Sequence, residues 1–190
     1  AQISEIAKTI SKSELSSNSD YSLAAQRYEV TVQKDTTRTF IKLGQLLEKA
    51  PSQKVGSKQE VKVLSITMQN GLIDQEDKFK KRVASDDISG YKLVDRNQLV
   101  VGFPIDEGVL SFQTKYESAA VSPAYGIWTL KDSDSVNIKY LESLLRSNEL
   151  RSEYKRRMQG SVSRRRSIPD AAFLEIEIPY PPLSEQEAVV

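Results

Sequence analysis

The chain has 190 residues, 38% apolar and 28% charged, enough for one domain with a proper core plus an extension. It contains neither Cys nor His, which excludes disulfide frameworks, zinc–thiolate sites and nucleophile systems of the Ser-His-Asp or Cys-His kind. Net charge is +1, no apolar run approaches the roughly 20 residues of a membrane span, and the N-terminus lacks the basic and apolar regions of a signal peptide.

Ile3, Ile6, Ala7 and Ile10 share one helical stripe, and the Ser- and Asn-rich residues 11–19 read as a linker. Residues 1–29 are therefore expected to form a helical tail and linker, with the main domain over residues 30–190. Residues 40–47 open that domain as a short strand or turn leading into an apolar segment. A loop with Pro51 and Gly56 follows. Residues 61–68 alternate as a strand with one slip of phase, and Asn70-Gly71 is a strong turn signal before Leu72 and Ile73. Residues 78–82 are basic around one aromatic, Phe79.

Residues 98–103 read as a buried strand and residues 108–112 as another. The apolar stretch 119–130 is interrupted by Pro123 and Gly126, so a strand, a break and a second strand are expected. Asp132 or Asp134 can cap the next helix. That helix follows Ile138, Leu141, Leu144, Leu145, Tyr154 and Met158, with a weak middle at Asn148-Glu149. Residues 173–178 alternate as a half-exposed strand, stopped by Pro179, Pro181 and Pro182. Residues 183–190 read as the first turns of a further helix. The expected core comprises Leu64, Ile66, Leu99, Val100, Val121, Tyr125, Ile127, Trp128, Leu141, Leu144, Leu174 and Ile176.

Charge is distributed unevenly. Residues 151–166 carry seven basic side chains and one acid, a net of +6, and residues 167–190 carry five acids and no base. A locally concentrated patch can bind phosphates on a nearly neutral protein, because screening confines the contact to about 10 Å. The candidates are Gln159, Ser161, Arg164, Arg165 and Arg166 around Gly160, with Lys155, Arg156 and Arg157 before it. Lys78, Lys80, Lys81 and Arg82 form a second cluster suited to the backbone. Arg chelates guanine through O6 and N7, and Gln does the same for adenine. A solvated charge run at a helix end explains the same pattern. Three adjacent Arg residues cannot all face one way along a strand, so at least one is expected to turn away or to pair with Glu175 or Glu177.

Catalytic chemistry is missing from the pattern. The Gly residues form no nucleotide fingerprint, and Asp86-Asp87 and Asp132/Asp134 fit turns and caps better than a metal or acid–base site. No Asn-Pro-Pro-Tyr motif for methyl transfer to adenine occurs. A non-catalytic recognition role, with no metal site, is the expectation.

The C-terminal stretch resembles the end of a target-recognition domain from the specificity subunit of type I restriction–modification systems. Such domains run from a helix into a Gly, a polar-basic loop, a buried strand and a Pro-rich phrase ending in Leu-Ser-Glu-Gln. The counterparts here are residues 140–158, 160–166, 173–178 and 179–186, and residues 176–190 (IEIPYPPLSEQEAVV) are the most specific match. Residues 43–130, including the Ser-Pro-x-Tyr phrase at 122–125, follow the same order. Asp20-Tyr21-Ser22-Leu23 with Arg27-Tyr28 resembles the tail of the adenine methyltransferase subunit, as in a fusion of the two.

The resemblance implies a cytoplasmic, α+β, single target-recognition domain with a mixed twisted sheet and a few helices. It implies binding to double-stranded DNA and direction of an adenine-N6 methyltransferase subunit or domain, with or without a restriction subunit. The chain itself would hold no cofactor, S-adenosylmethionine being expected in the partner methyltransferase. The alternative is a non-catalytic interaction or scaffold module of such a complex. RNA binding is less favoured, because basic and aromatic residues interleave sparsely.

Overall fold

The computed structural model describes residues 12–13, 39–56, 61–75, 87–158 and 167–190. The chain divides into two units, Ala1–Thr37 and Arg38–Val190. Of the first, Lys12 and Ser13 are described, helical and exposed; the rest of the expected tail lies outside the described residues.

The second unit is built around a four-stranded antiparallel sheet. Its strands are β2 (Leu47–Lys49), β9 (Gly126–Leu130), β6 (Leu99–Val101) and β7 (Leu110–Phe112), in that spatial order. Alternation sends Leu99, Leu110, Phe112, Trp128 and Leu130 to one face and Val100 and Ile127 to the other. Both faces are covered, so both sets are buried.

Helices cover the first face. They are α2 (Ile138–Leu145), α3 (Asn148–Arg157) and α4 (Asp170–Leu174), which contribute Leu141, Leu145, Leu150, Tyr154 and Phe173. Two hairpin-like sheets supply the opposite core. One pairs β3 (Leu64–Thr67) with β4 (Gly71–Asp74), and the other pairs β5 (Lys92–Asp95) with β8 (Ser118–Val121). A parallel bridge from Val63 to Ala120 joins them, and Leu64, Ile66, Val94, Ala119 and Val121 fill the space beneath. β1 (Phe40–Lys42) pairs with β10 (Glu177–Pro179), placing Ile41 opposite Ile178. The short α1 (Leu43–Leu46) leads from β1 into β2, and α5 (Leu183–Ala188) ends the unit. The class is α+β, and every strand-to-strand ladder among the described residues is antiparallel.

The turn signal at Asn70-Gly71 closes the β3–β4 hairpin. Gly71 has φ +61°, a conformation that L side chains rarely adopt. Thr67 Oγ1 accepts from Asn70 N at 3.0 Å and donates to Gly71 O at 3.1 Å, holding the turn shut.

Three expected elements are corrected. The long helix is two helices. Its apolar positions step by four, then five, then four through Leu141, Leu145, Leu150 and Tyr154, and a step of five breaks the helical stripe. Ser147 sits at the break and accepts from Leu150 N, starting α3 anew. The capping residue also differs. Asn137, not Asp132 or Asp134, caps α2, accepting from Lys139 N at 3.0 Å and Tyr140 N at 3.1 Å. Asp132 instead accepts from Asp134 N within the preceding turn.

The strand expected over residues 173–178 is helix α4, a turn, and then β10. Pro169 stands at the N-cap of α4, and Asp170 favours its first turn. Phe173 and Ile176 are three apart and both buried, as on a helical turn, and alternation holds only from Glu175 to Ile178. Of the expected core, Tyr125, Leu144 and Leu174 are only partly buried. The other nine are buried, and Leu43, Leu47, Leu145 and Tyr154 join them with no exposure at all.

Candidate nucleic-acid interface

The basic end of α3 is fixed from inside the molecule. Tyr154 is fully buried, and its hydroxyl donates to Leu145 O at 2.8 Å, satisfying a carbonyl that the end of α2 leaves open. Its ring lies 6.2 Å from Phe173, which lies 5.1 Å from Trp128. This aromatic row ties α3 to α4 and to the central sheet.

The next three residues face outward to different degrees. Lys155 and Arg156 are exposed and Arg157 is half-buried. Glu153 binds both arginines, Arg156 through Nη2 and Arg157 through Nε at 2.5 Å. Burial pushes the Glu153 carboxyl up, but the hydrogen bonds from Arg156 and Arg157 outweigh it and hold the group below its ordinary value. Arg157 also donates to Ala172 O at 3.3 Å, linking the end of α3 to α4.

Gln159, Ser161, Arg164, Arg165 and Arg166 lie outside the described residues, as do Lys78, Lys80, Lys81 and Arg82. The flanks of the first group are described. Met158 on one side and Ile168 on the other both pack against the main core. Glu175, one of the two acids considered as a partner for these arginines, has its carboxylate 2.5 Å from Lys42 Nζ.

Beside Ser167 and Ile168 the surface opens into a cleft of about 220 Å³, lined by Lys49, Lys92, Phe103, Tyr125, Trp128 and Asp170 among others. The sheet register assembles it. Lys49 in β2 pairs with Trp128 in β9, and Lys49 Nζ sits 4.4 Å from the indole centroid. The same Nζ meets Asp170 Oδ1 at 2.9 Å and Oδ2 at 2.8 Å. Lys92 reaches over from β5 and donates to Tyr125 O at 2.7 Å. Phe103 follows β6 in a cis Phe103-Pro104 pair. The residue is 42% exposed, an unusual position for a large apolar side chain, and its ring lies 6.5 Å from that of Tyr125.

Two ammonium groups therefore converge on one cleft. Burial pushes Lys92 below its ordinary value, the charge of Lys49 adds to that, and Asp170 partly opposes it. Among the described residues no group of three or more Asp, Glu, His or Cys could hold a metal ion.

None of Lys49, Lys92 or Phe103 stood out in the sequence. Each lysine is solitary there, and only strand pairing brings them together. An exposed aromatic after Gly102 and before Pro104 was the one local signal, since that setting ends a strand at the surface.

No family model and no curated protein sequence matches the chain. Solved structures are similar to it. One is the HsdS subunit from Thermoanaerobacter tengcongensis, at 13% identity over 84% of this chain, TM-score 0.45. Another is the type I restriction-modification system S subunit from M. genitalium, at 15% identity over 84%, TM-score 0.49. A third comes from a structure describing assembly and conformational transition of the type I R-M system, at 12% identity over 85%, TM-score 0.48. The chain spans 37%, 39% and 38% of the lengths of these proteins. Among the described residues no helix is long and apolar enough to cross a membrane.

Proposed function

We propose that the chain is a sequence-specific DNA-recognition module of a type I-like restriction–modification system. In this reading it directs an adenine-N6 methyltransferase, with or without a restriction subunit, to its target. The observation that carries it is a pair of basic surfaces among the described residues. One is the end of α3 at Lys155, Arg156 and Arg157, and the other is the cleft of Lys49 and Lys92, which Ser167 and Ile168 border. The closing phrase of residues 176–190, with its resemblance to specificity subunits, supports the same assignment.

The division of labour follows from chemistry. Lysines and paired arginines neutralise phosphates and set the register, while side chains in the 159–166 segment read base edges. Gln159 and one or two of Arg164, Arg165 and Arg166 are the readers in this proposal, and Lys78, Lys80, Lys81 and Arg82 add backbone contacts. Extrusion of the target adenine and binding of S-adenosylmethionine belong to the methyltransferase partner.

The test is selection of duplexes from a random-sequence library by the purified chain, followed by affinity against salt. An enriched sequence and a steep fall of log K with log salt are expected. A flat salt response with no enrichment would overturn the proposal and favour a scaffold module that meets protein alone.

A further inference from the structure

Trp128 is 3% exposed, yet it lines the cleft. Among the described residues no acceptor meets its indole N–H. A Cβ added at Gly126 would stand 3.4 Å from Trp128 Nε1 and 3.8 Å from Lys49 Nζ, so the absence of a side chain at Gly126 leaves the donor and the ammonium facing one space. Ser118 Oγ is the one buried side-chain polar atom without a partner among the described residues, so the indole N–H is not sealed off and can donate to a group in the cleft. A donor beside two ammonium groups suits a ligand that supplies oxygen and negative charge together.

We propose that this cleft seats one backbone phosphate of nucleic acid, held by Lys49, Lys92 and the indole N–H of Trp128, with Phe103 lying against the nucleoside attached to it. The proposal rests on the DNA-recognition reading for its source of phosphate.

Donor accounting supports it. An ammonium carries three N–H donors. Lys92 spends one on Tyr125 O. Lys49 meets the Asp170 carboxylate and the ring face and retains capacity for another acceptor. The three donors come from β2, β5 and β9, three directions that suit the tetrahedral oxygens of a phosphate better than the planar pair of a carboxylate. Asp170 would repel an anion, but both of its oxygens face Lys49 Nζ, which offsets its charge locally. Seating an anion also relieves the repulsion between Lys49 and Lys92, the repulsion that helps depress the Lys92 ammonium. The volume equals roughly seven waters at about 30 Å³ each, room for a phosphate and part of its sugar, while the duplex stays outside. Phe103, with its exposed ring at the rim, offers the apolar contact that a free phosphate lacks.

Trp128 is the chain's single tryptophan, so its fluorescence reports on this cleft alone. The experiment titrates the full chain with inorganic phosphate, with a thymidine dinucleotide and with acetate, at constant ionic strength. The proposal expects a saturable change with phosphate, tighter binding of the dinucleotide, and no saturable change with acetate. Lys92→Gln should weaken both phosphate ligands about tenfold, the usual effect of losing one hydrogen bond to a charged group. Gly126→Ala, whose methyl would fit at ordinary contact distance yet fill the seat, should abolish the response while leaving the melting temperature near the parent's. Phe103→Ala should weaken the dinucleotide and spare inorganic phosphate.

No saturable response to phosphate or dinucleotide overturns the proposal, as does a parental response in folded Lys92→Gln and Gly126→Ala. Equal binding of acetate overturns it in favour of a carboxylate-bearing protein partner. Failure here is separable from failure of the recognition reading. Enrichment of a duplex sequence without a tryptophan response removes the seat alone. A tryptophan response without enrichment removes the recognition reading alone.

Discussion

Removing the Tyr154 hydroxyl tests whether α3 is held from its buried side. Tyr154→Phe keeps the ring, its 6.2 Å approach to Phe173 and all of its apolar burial. It deletes one hydrogen bond, the 2.8 Å donation to Leu145 O. That carbonyl closes the last turn of α2, where no further helical N–H follows. A buried acceptor left without a partner costs about 1–3 kcal/mol. For a domain of this length, 1 kcal/mol corresponds to roughly 2–4 °C in melting temperature. Urea denaturation at pH 7 should therefore show a lower midpoint with an unchanged slope, because the surface exposed on unfolding is the same. Tyr154→Ala should cost more, about 3–5 kcal/mol, because the ring also leaves a cavity. A Tyr154→Phe protein as stable as the parent would show that the hydroxyl gains nothing over water. The account of how the α2–α3 corner is fixed would then be wrong.

Gly71→Ala should destabilise by more than the roughly 1 kcal/mol that such a change gains where the backbone is compatible. The new Cβ meets a positive φ and stands 2.5 Å from Ser111 Oγ; a melting temperature equal to the parent's would refute the hairpin geometry. In acid, burial pushes the Asp74 carboxyl up, but hydrogen bonds from Lys115 and Tyr116 outweigh it, so Asp74 and Glu153 both sit below their ordinary values of 3.8 and 4.5. Such groups stabilise above those values and lose the contribution as pH falls through their folded values. The melting temperature should thus be level near neutrality and decline below about pH 4.5, with Asp74→Asn and Glu153→Gln together flattening the decline. Single Arg→Ala changes at 164, 165 and 166 should separate in duplex binding. One should relax sequence choice by about 1–3 kcal/mol, and another should lower affinity for all sequences and flatten the salt slope by about one unit. Parental behaviour from all three would move the DNA face elsewhere, Lys78 to Arg82 being the next candidates.

What the chain determined by itself is the part governed by neighbours in sequence. Residues 64–67, 99–101, 110–112, 118–121 and 126–130 are strands where alternation and turn residues said so, because a pleat repeats every two residues and Gly, Pro and Asn-Gly act on the backbone where they stand. The basic end of α3 was equally legible, since charge is a property of composition. The helix break at Ser147 was half legible, as a weak middle, because a side-chain cap competes with helix continuation and the sequence does not say which wins. Residues 170–176 misled for a related reason. Phe173 and Leu174 suit strand or helix, and packing of Phe173 between Trp128 and Tyr154 decided the matter. The cleft was not legible at all. Lys49 meets Trp128 because β2 pairs with β9 across nearly eighty residues, and Lys92 arrives from a different sheet. Strand pairing of that range depends on which faces find a common core, and a solitary lysine carries no mark of the register that will place it.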